Sequence, residues 1–322
     1  MGKARVGLLC VAAVLVMAGC TTVTEGAPRR AATNEEPLTG AALSDGEVDP
    51  CSLTGPAAFE EYGPARMPGV PNLDECRVVV STKEGGAFVY VGTQMSTATL
   101  PDAQDEVADL GRGTTVVGLT DCDMALVLAD GVAVLTSAEP SQPGEEISDE
   151  IRCGLAEGAA RGVFGVLDGE RVKYWEPESN SFATVSACDV LDDERVAQQL
   201  GITADQRTRY PAEHQCRWGR AGGDTATAKL DFPVGENIDD VGVPVGLRPE
   251  QIGGRDTWVV DASAAQVAVC TAYTSHIPFT LGVGTTEFAA LRIAIPVNAG
   301  KDVCAVARTL AADAWAALPG GN

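Results

Sequence analysis

Two periodicities organise this chain. Runs in which apolar and polar residues alternate, the pattern of strands with one buried face, occupy residues 77–81, 87–93, 114–119, 124–129 and 132–137, and again 225–232, 256–261, 267–274, 279–283 and 291–297. The last two runs of the first group flank Asp130-Gly131, a dipeptide that tolerates the positive φ of a tight hairpin. Helical spacing bounds each group. A short helix is predicted to start near Pro56 and stop at Gly63, and its counterpart to start after the N-cap Asp192 and stop at Gly201. Alanine-rich amphipathic helices close the groups at 153–167 and 304–318, the second placing Val303, Val306, Leu310 and Ala314 on one face. Strands gathered between helices predict an α+β fold with an antiparallel sheet, made twice: each module has a short N-terminal helix and a longer C-terminal one.

Cysteine spacing supports the same division. Cys51, Cys76, Cys122 and Cys153 are separated by 25, 46 and 31 residues, and Cys188, Cys216, Cys270 and Cys304 by 28, 54 and 34. Neighbouring residues agree independently: Cys76-Arg77 matches Cys216-Arg217, and Gly111-Arg112-Gly113-Thr114 precedes a strand as Gly254-Arg255-Asp256-Thr257 does. Two homologous modules, 48–168 and 186–320, joined by a linker at 169–185, account for these repeats. Four cysteines allow three pairings in each module. First with second and third with fourth is preferred, because it ties the opening helix to the first strand and a central strand to the closing helix: Cys51–Cys76, Cys122–Cys153, Cys188–Cys216 and Cys270–Cys304. No C-x-x-C pair is present to suggest a zinc site.

The N-terminus changes the setting. Lys3 and Arg5 precede an apolar run from Val6 to Met17, too short for a stable membrane span, and small residues lead into Cys20. This segment resembles a bacterial lipoprotein signal, which implies cleavage after residue 19, acylation at Cys20 and attachment to the extracytoplasmic face of the cell membrane. Residues 20–47, poor in large apolar side chains, read as a flexible tether. The formal charge of −22 becomes −24 once Lys3 and Arg5 leave with the signal, 21 basic groups facing 45 acidic ones. A field of that sign disfavours nucleic acid and anionic lipid surfaces as partners. Export also favours oxidised cysteines over metal-bound ones.

With the lipobox, Pro50-Cys51-Ser52-Leu53, Cys216-Arg217-Trp218 and a closing helix from Cys304 to Leu318-Pro319, the chain resembles the actinobacterial lipoprotein domain family of unknown function. The resemblance implies an envelope location and a disulfide-bonded α+β domain, and supplies no catalytic residues. Module one departs from it at Val78, where tryptophan is expected, and at Leu167-Asp168, which lacks the proline. The layout is more loosely similar to extracellular sensor domains of mycobacterial receptor kinases.

Chemistry is sparse. His214 and His276 read as surface histidines, and no nucleophile elbow, S-x-x-K or H-E-x-x-H motif occurs. Asp121 and Asp123, or Asp239 and Asp240, lack the alternating oxygen ligands of a calcium loop. Neither a metal nor a cofactor is implied. The repeated arginines Arg112 and Arg255 would either clamp an anionic ligand group or brace their loops. Trp218 and Trp258 are expected in the core, and Trp175 between the modules, where it joins Arg112 and Arg255 as a candidate ligand contact. The function these features favour is a non-enzymatic lipoprotein that binds or senses a peptide, a small ligand or an envelope partner. The alternatives are a carboxylate-dependent envelope hydrolase and a structural spacer.

Overall fold

The computed structural model describes residues 36–44, 47–100, 105–220, 225–280, 282 and 284–320. The signal segment, Cys20 and most of the expected tether lie outside them. Module one contains β1 (Ala65–Asn72), β2 (Glu75–Ser81), β3 (Gly86–Ser96), β4 (Glu106–Gly111), β5 (Thr114–Gly118), β6 (Met124–Val127), β7 (Val132–Pro140) and α1 (Asp149–Asp168). Module two contains α2 (Asp193–Leu200), β8 (Arg207–Arg209), β9 (Gln215–Trp218), β10 (Thr227–Asp231), β11 (Val234–Gly235), β12 (Glu250–Ile252), β13 (Arg255–Asp261), β14 (Val267–Pro278), β15 (Thr286–Pro296) and α3 (Val303–Ala317).

Each module is one antiparallel sheet with its closing helix laid across one face. Sheet one is ordered β1-β2-β3-β7-β6-β5-β4; sheet two, read from the corresponding edge, is β8-β9-β10-β15-β14-β13-β12, with the two-residue β11 added beside β15. The two orders coincide strand for strand. All four disulfides join the expected cysteines. Alternation explains the cores. Val78, Val80, Val89, Val91 and Leu126 point toward α1, which presents Leu155, Ala159 and Val163, and Leu230, Leu291 and Ile293 meet Val306, Leu310 and Ala314 of α3.

Several elements differ from expectation. Module one opens with a 3-10 turn, Pro56–Phe59, and not an α-helix, because it is pressed against α1 where Gly158 and Gly162 leave no side chain; a Cβ at Gly158 would lie 2.9 Å from the Ala58 carbonyl oxygen. In module two α2 forms as predicted, capped by the Asp192 side chain and ended by Gly201 at φ 77°. The run at 279–283 is a reversal between β14 and β15, closed by Phe279 N–H to Thr285 O and Gly282 N–H to Phe279 O, with Leu281 and Val283 outside the described residues. The strands β8, β11 and β12, of two or three residues, are too short to show the alternation, and β1 is interrupted by Pro68, Gly69 and Pro71; β4 was not expected either.

The end of the expected tether is fixed. Leu43 is fully buried, Leu38 exchanges backbone hydrogen bonds with Arg112 and Ala129, and Gly40 N–H donates to Asp130 Oδ2 at the β6–β7 hairpin. Beyond residue 35 both modules belong to one compact unit, Glu36–Asn322. The linker is ordered too: Val48 bridges Tyr174, and Trp175 N–H donates to Glu47 O.

Candidate functional site

The modules meet at the tip of the β1–β2 hairpin. Asn72-Leu73-Asp74 enters module two, where Asn72 bridges Pro233, Leu73 N–H donates to Phe232 O, and the Leu73 side chain, 1% exposed, joins the core beneath sheet two. Beside it Asp74 Oδ1 lies 2.7 Å from His214 Nδ1, with both side chains buried. His214 Nε2 faces the Ala183 carbonyl at 3.0 Å. A carbonyl only accepts, and so does a carboxylate, an arrangement that suits an imidazole with protons on both ring nitrogens. Burial works against that charge, but Asp74, the Ala183 carbonyl and Glu213 together outweigh it and raise the His214 pKa. Neither histidine is a surface residue as expected. His276 stacks on Phe182 at 4.0 Å, its Nε2 donates to Asn180 O, and burial with Arg255 nearby lowers its pKa.

Where the modules diverge from this joint, a cavity of about 1310 Å³ opens between them. One wall is the unpaired edge of β1, with Met67, Pro68 and Val70; the other is Val234, Gly235 and Phe279. Trp175 lines it between the modules, as expected, buried and edge-on to Phe279 at 5.4 Å. Arg77 and Lys173 contribute positive charge, and Asp49, Glu176, Glu236 and Asp240 negative charge. Pro68 and Pro71 lack the N–H that would let another strand extend sheet one along this edge.

Arg112 and Arg255 do not line the cleft. Each sits in a hairpin, β4–β5 or β12–β13, and reaches the C-terminal end of its module's closing helix. Arg112 pairs with Asp168 at 2.8 Å and donates to Glu36 O; Arg255 donates to the carbonyls of Trp315, Leu318 and Pro319, where the helix dipole favours a cation. Of the two readings open in the sequence, this geometry matches the brace. Trp218 is buried as expected, but Trp258 points to the outer face of sheet two and is half-buried.

Two carboxyls, the half-buried Glu75 and the buried Glu287, escaped the sequence reading. Glu75 sits between Thr93 and Asn72; burial pushes its pKa up to about 7, partly opposed by Lys229 across the module boundary. Glu287 accepts from Ser181 Oγ and Phe182 N–H, and burial raises its pKa as well. The available signal was a leucine at a turn tip, where polar residues are the rule. Among the described residues no group of three or more His, Cys, Asp or Glu is placed to hold a metal ion, and no helix is long and apolar enough to cross a membrane. Comparison with known protein families, curated proteins and solved structures finds no match.

Folding takes up protons at this joint, because Glu75 and His214 both hold them more tightly in the folded chain than in the unfolded one, so stability falls as pH rises. Glu75 acts between its ordinary value of 4.5 and about 7. The His214 contribution is fully present below 6.5 and is lost as pH passes its raised folded value. Thermal unfolding from pH 5 to 8 at constant ionic strength is expected to give a falling Tm, with Glu75→Gln flattening the lower part and Asp74→Asn the upper. A Tm that rises across this range contradicts the assignment.

The braces give a second expectation. Arg255→Ala removes charge-assisted bonds to three half-buried carbonyls and should cost about 1–3 kcal/mol, whereas Arg112→Ala loses a half-exposed ion pair and should cost under about 1 kcal/mol. Denaturant titration of both variants measures the difference; equal costs would show that the two hairpins are not held as described.

Proposed function

We propose that this chain is a lipid-anchored extracytoplasmic lipoprotein, acylated at Cys20, whose two modules arose by duplication and hold an extended peptide in the cleft between them. The cleft carries the reading. Its volume of about 1310 Å³ exceeds the roughly 300–1,000 Å³ of small-molecule pockets, and it is an open trough with an apolar wall on each side, not an enclosed chamber. Charges of both signs along the trough suit a mixed peptide better than a uniformly charged ligand. Trp175 and Phe279 supply the rigid aromatic surface on which recognition sites commonly depend. Membership of the actinobacterial lipoprotein domain family belongs to the same proposal.

Anchoring is tested by fractionation. The mature protein should carry acyl mass and sediment with membranes, and Cys20→Ala should leave it unprocessed or free of them; a mature wild-type protein without lipid mass rejects the anchor. Cleft occupancy is tested with the full-length protein in its own envelope, by placing a benzoylphenylalanine photo-crosslinker at Thr280 on the cleft rim or at the exposed Glu106 on the far edge of sheet one. Peptide adducts are expected at Thr280 and not at Glu106, and Val70→Arg should abolish them. Equal labelling at both positions would remove the support for a peptide site.

A further inference from the structure

The outer face of sheet two, turned away from α3, carries three cations in one row. Arg217 of β9 stands directly opposite Lys229 of β10, and Lys229 directly opposite Arg292 of β15. Their strand neighbours Cys216, Trp218, Ala228, Leu230, Leu291 and Ile293 are buried in the core, so alternation turns the three cations outward. With strands about 4.8 Å apart, the row spans about 10 Å.

Like charges directly opposite one another destabilise a sheet, and this chain has carboxylates in large excess with which to neutralise them. They are used only in part. Lys229 lies 3.5 Å from Asp231 and feels Glu75. Arg217 and Arg292 make no hydrogen bond or ion pair with any described residue, and Arg217 Nε is buried without a partner. The fold does not require the row: at the same register in sheet one the residues are Arg77, Tyr90 and Ser137. Thr271 continues the row beyond Arg292. Two residues along the strands from Thr271 and its partner Val260, Trp258 and Tyr273 form a half-buried cross-strand aromatic pair, with Tyr273 close enough to Arg292 to feel its charge.

We propose that this face binds a carboxylated oligosaccharide, its uronate groups held by the forked guanidinium groups of Arg217 and Arg292 across Lys229 and a sugar ring lying on Trp258 and Tyr273. A planar carboxylate recurring ring after ring matches cations recurring strand after strand, and arginine pairs with it through two parallel hydrogen bonds. Trp258 and Tyr273, register partners on this face, each leave part of an aromatic ring open for a sugar face to cover. The rest of the surface selects against larger anions: a nucleic acid or an anionic bilayer would bring an extended negative field against a chain of charge −22, whereas a short oligosaccharide touches only the row. This site is separate from the cleft and stands or falls without it.

The test is calorimetry on the full-length protein in neutral polyethylene glycol ether detergent, with trigalacturonate as probe. Trigalacturonate is expected to bind and uncharged maltotriose not to. Arg217→Gln combined with Arg292→Gln should weaken binding at least tenfold with Tm unchanged; Arg217→Lys combined with Arg292→Lys, which keeps the charge and the packing, should still weaken it several-fold; and Trp258→Ala should weaken it without altering the salt dependence. Failure of trigalacturonate to bind, equal affinity in the arginine variants, tighter binding of mannose 6-phosphate, or equal affinity for single-stranded DNA or phosphatidylglycerol-doped micelles would each overturn the proposal.

Discussion

The β1–β2 hairpin belongs to one module by sequence and to the other by packing, and the relative placement of everything else depends on that. Leu73 leaves its own sheet to complete the core beneath the other. Full burial of such a side chain contributes about 1.5–3 kcal/mol, enough to hold the tip in place but not to orient it. Orientation comes from the backbone bond of Leu73 N–H to Phe232 O and from the Asp74–His214 pair beside it. A buried ion pair is weak evidence for stability, since desolvating both charges offsets most of their attraction. Its geometric demand is strict: the carboxylate and the Ala183 carbonyl must each lie in line with one ring nitrogen of His214, which restricts how the hairpin tip can sit against module two. The cleft is a consequence, because the same hairpin that joins the modules at Asn72 diverges from β11 a few residues earlier.

Much of the architecture was legible in the sequence because the signals were local and repeated. Strands with a full buried face, the Asp130-Gly131 hairpin, the Asp192 and Gly201 helix ends and all four disulfides follow from alternation, capping chemistry and spacing. What escaped depends on tertiary contact. No propensity identifies Pro56–Phe59 as a 3-10 turn, since the close approach that selects it is set by glycines about 100 residues away in α1. The apolar residues at 279–283 looked like a strand because Phe279 is buried against Trp175, a contact made from a loop. His214 looked solvent-facing because it lies in a polar run, and His276 because it stands at a strand end before Pro278, yet the partners that bury His214, Asp74 and the Ala183 carbonyl, are what raise its pKa.

Arg112 and Arg255 show how a repeated motif can keep one arrangement while its partners differ. Their recurrence pointed to a shared role, and the shared role is mechanical: each closes its hairpin onto the end of a helix, one through a carboxylate and the other through bare carbonyls. The difference is physical. Asp168 ends α1 with a side chain that can meet the guanidinium, whereas α3 ends in Leu318-Pro319, leaving main-chain acceptors that only a forked donor can serve together.

The second arginine repeat behaves in the opposite way. Arg77 and Arg217 follow equivalent cysteines, point out of equivalent strands, and each has a buried Nε without a partner, but their surroundings have separated. Arg77 lies over the Phe88 ring at 5.0 Å, and its row is completed by a phenol and a hydroxyl, so no second cation stands beside it. Arg217 is extended by Lys229 and Arg292 into a row that the sheet must hold against its own repulsion. A surface side chain is normally free to relax such a conflict by substitution, and sheet one shows that the fold accepts uncharged residues at both positions. Of the two further cations, Lys229 is met by Asp231 and Glu75, whereas Arg292 has no hydrogen bond or ion pair with any described residue, and an anion from outside the chain is the simplest partner for it and for Arg217.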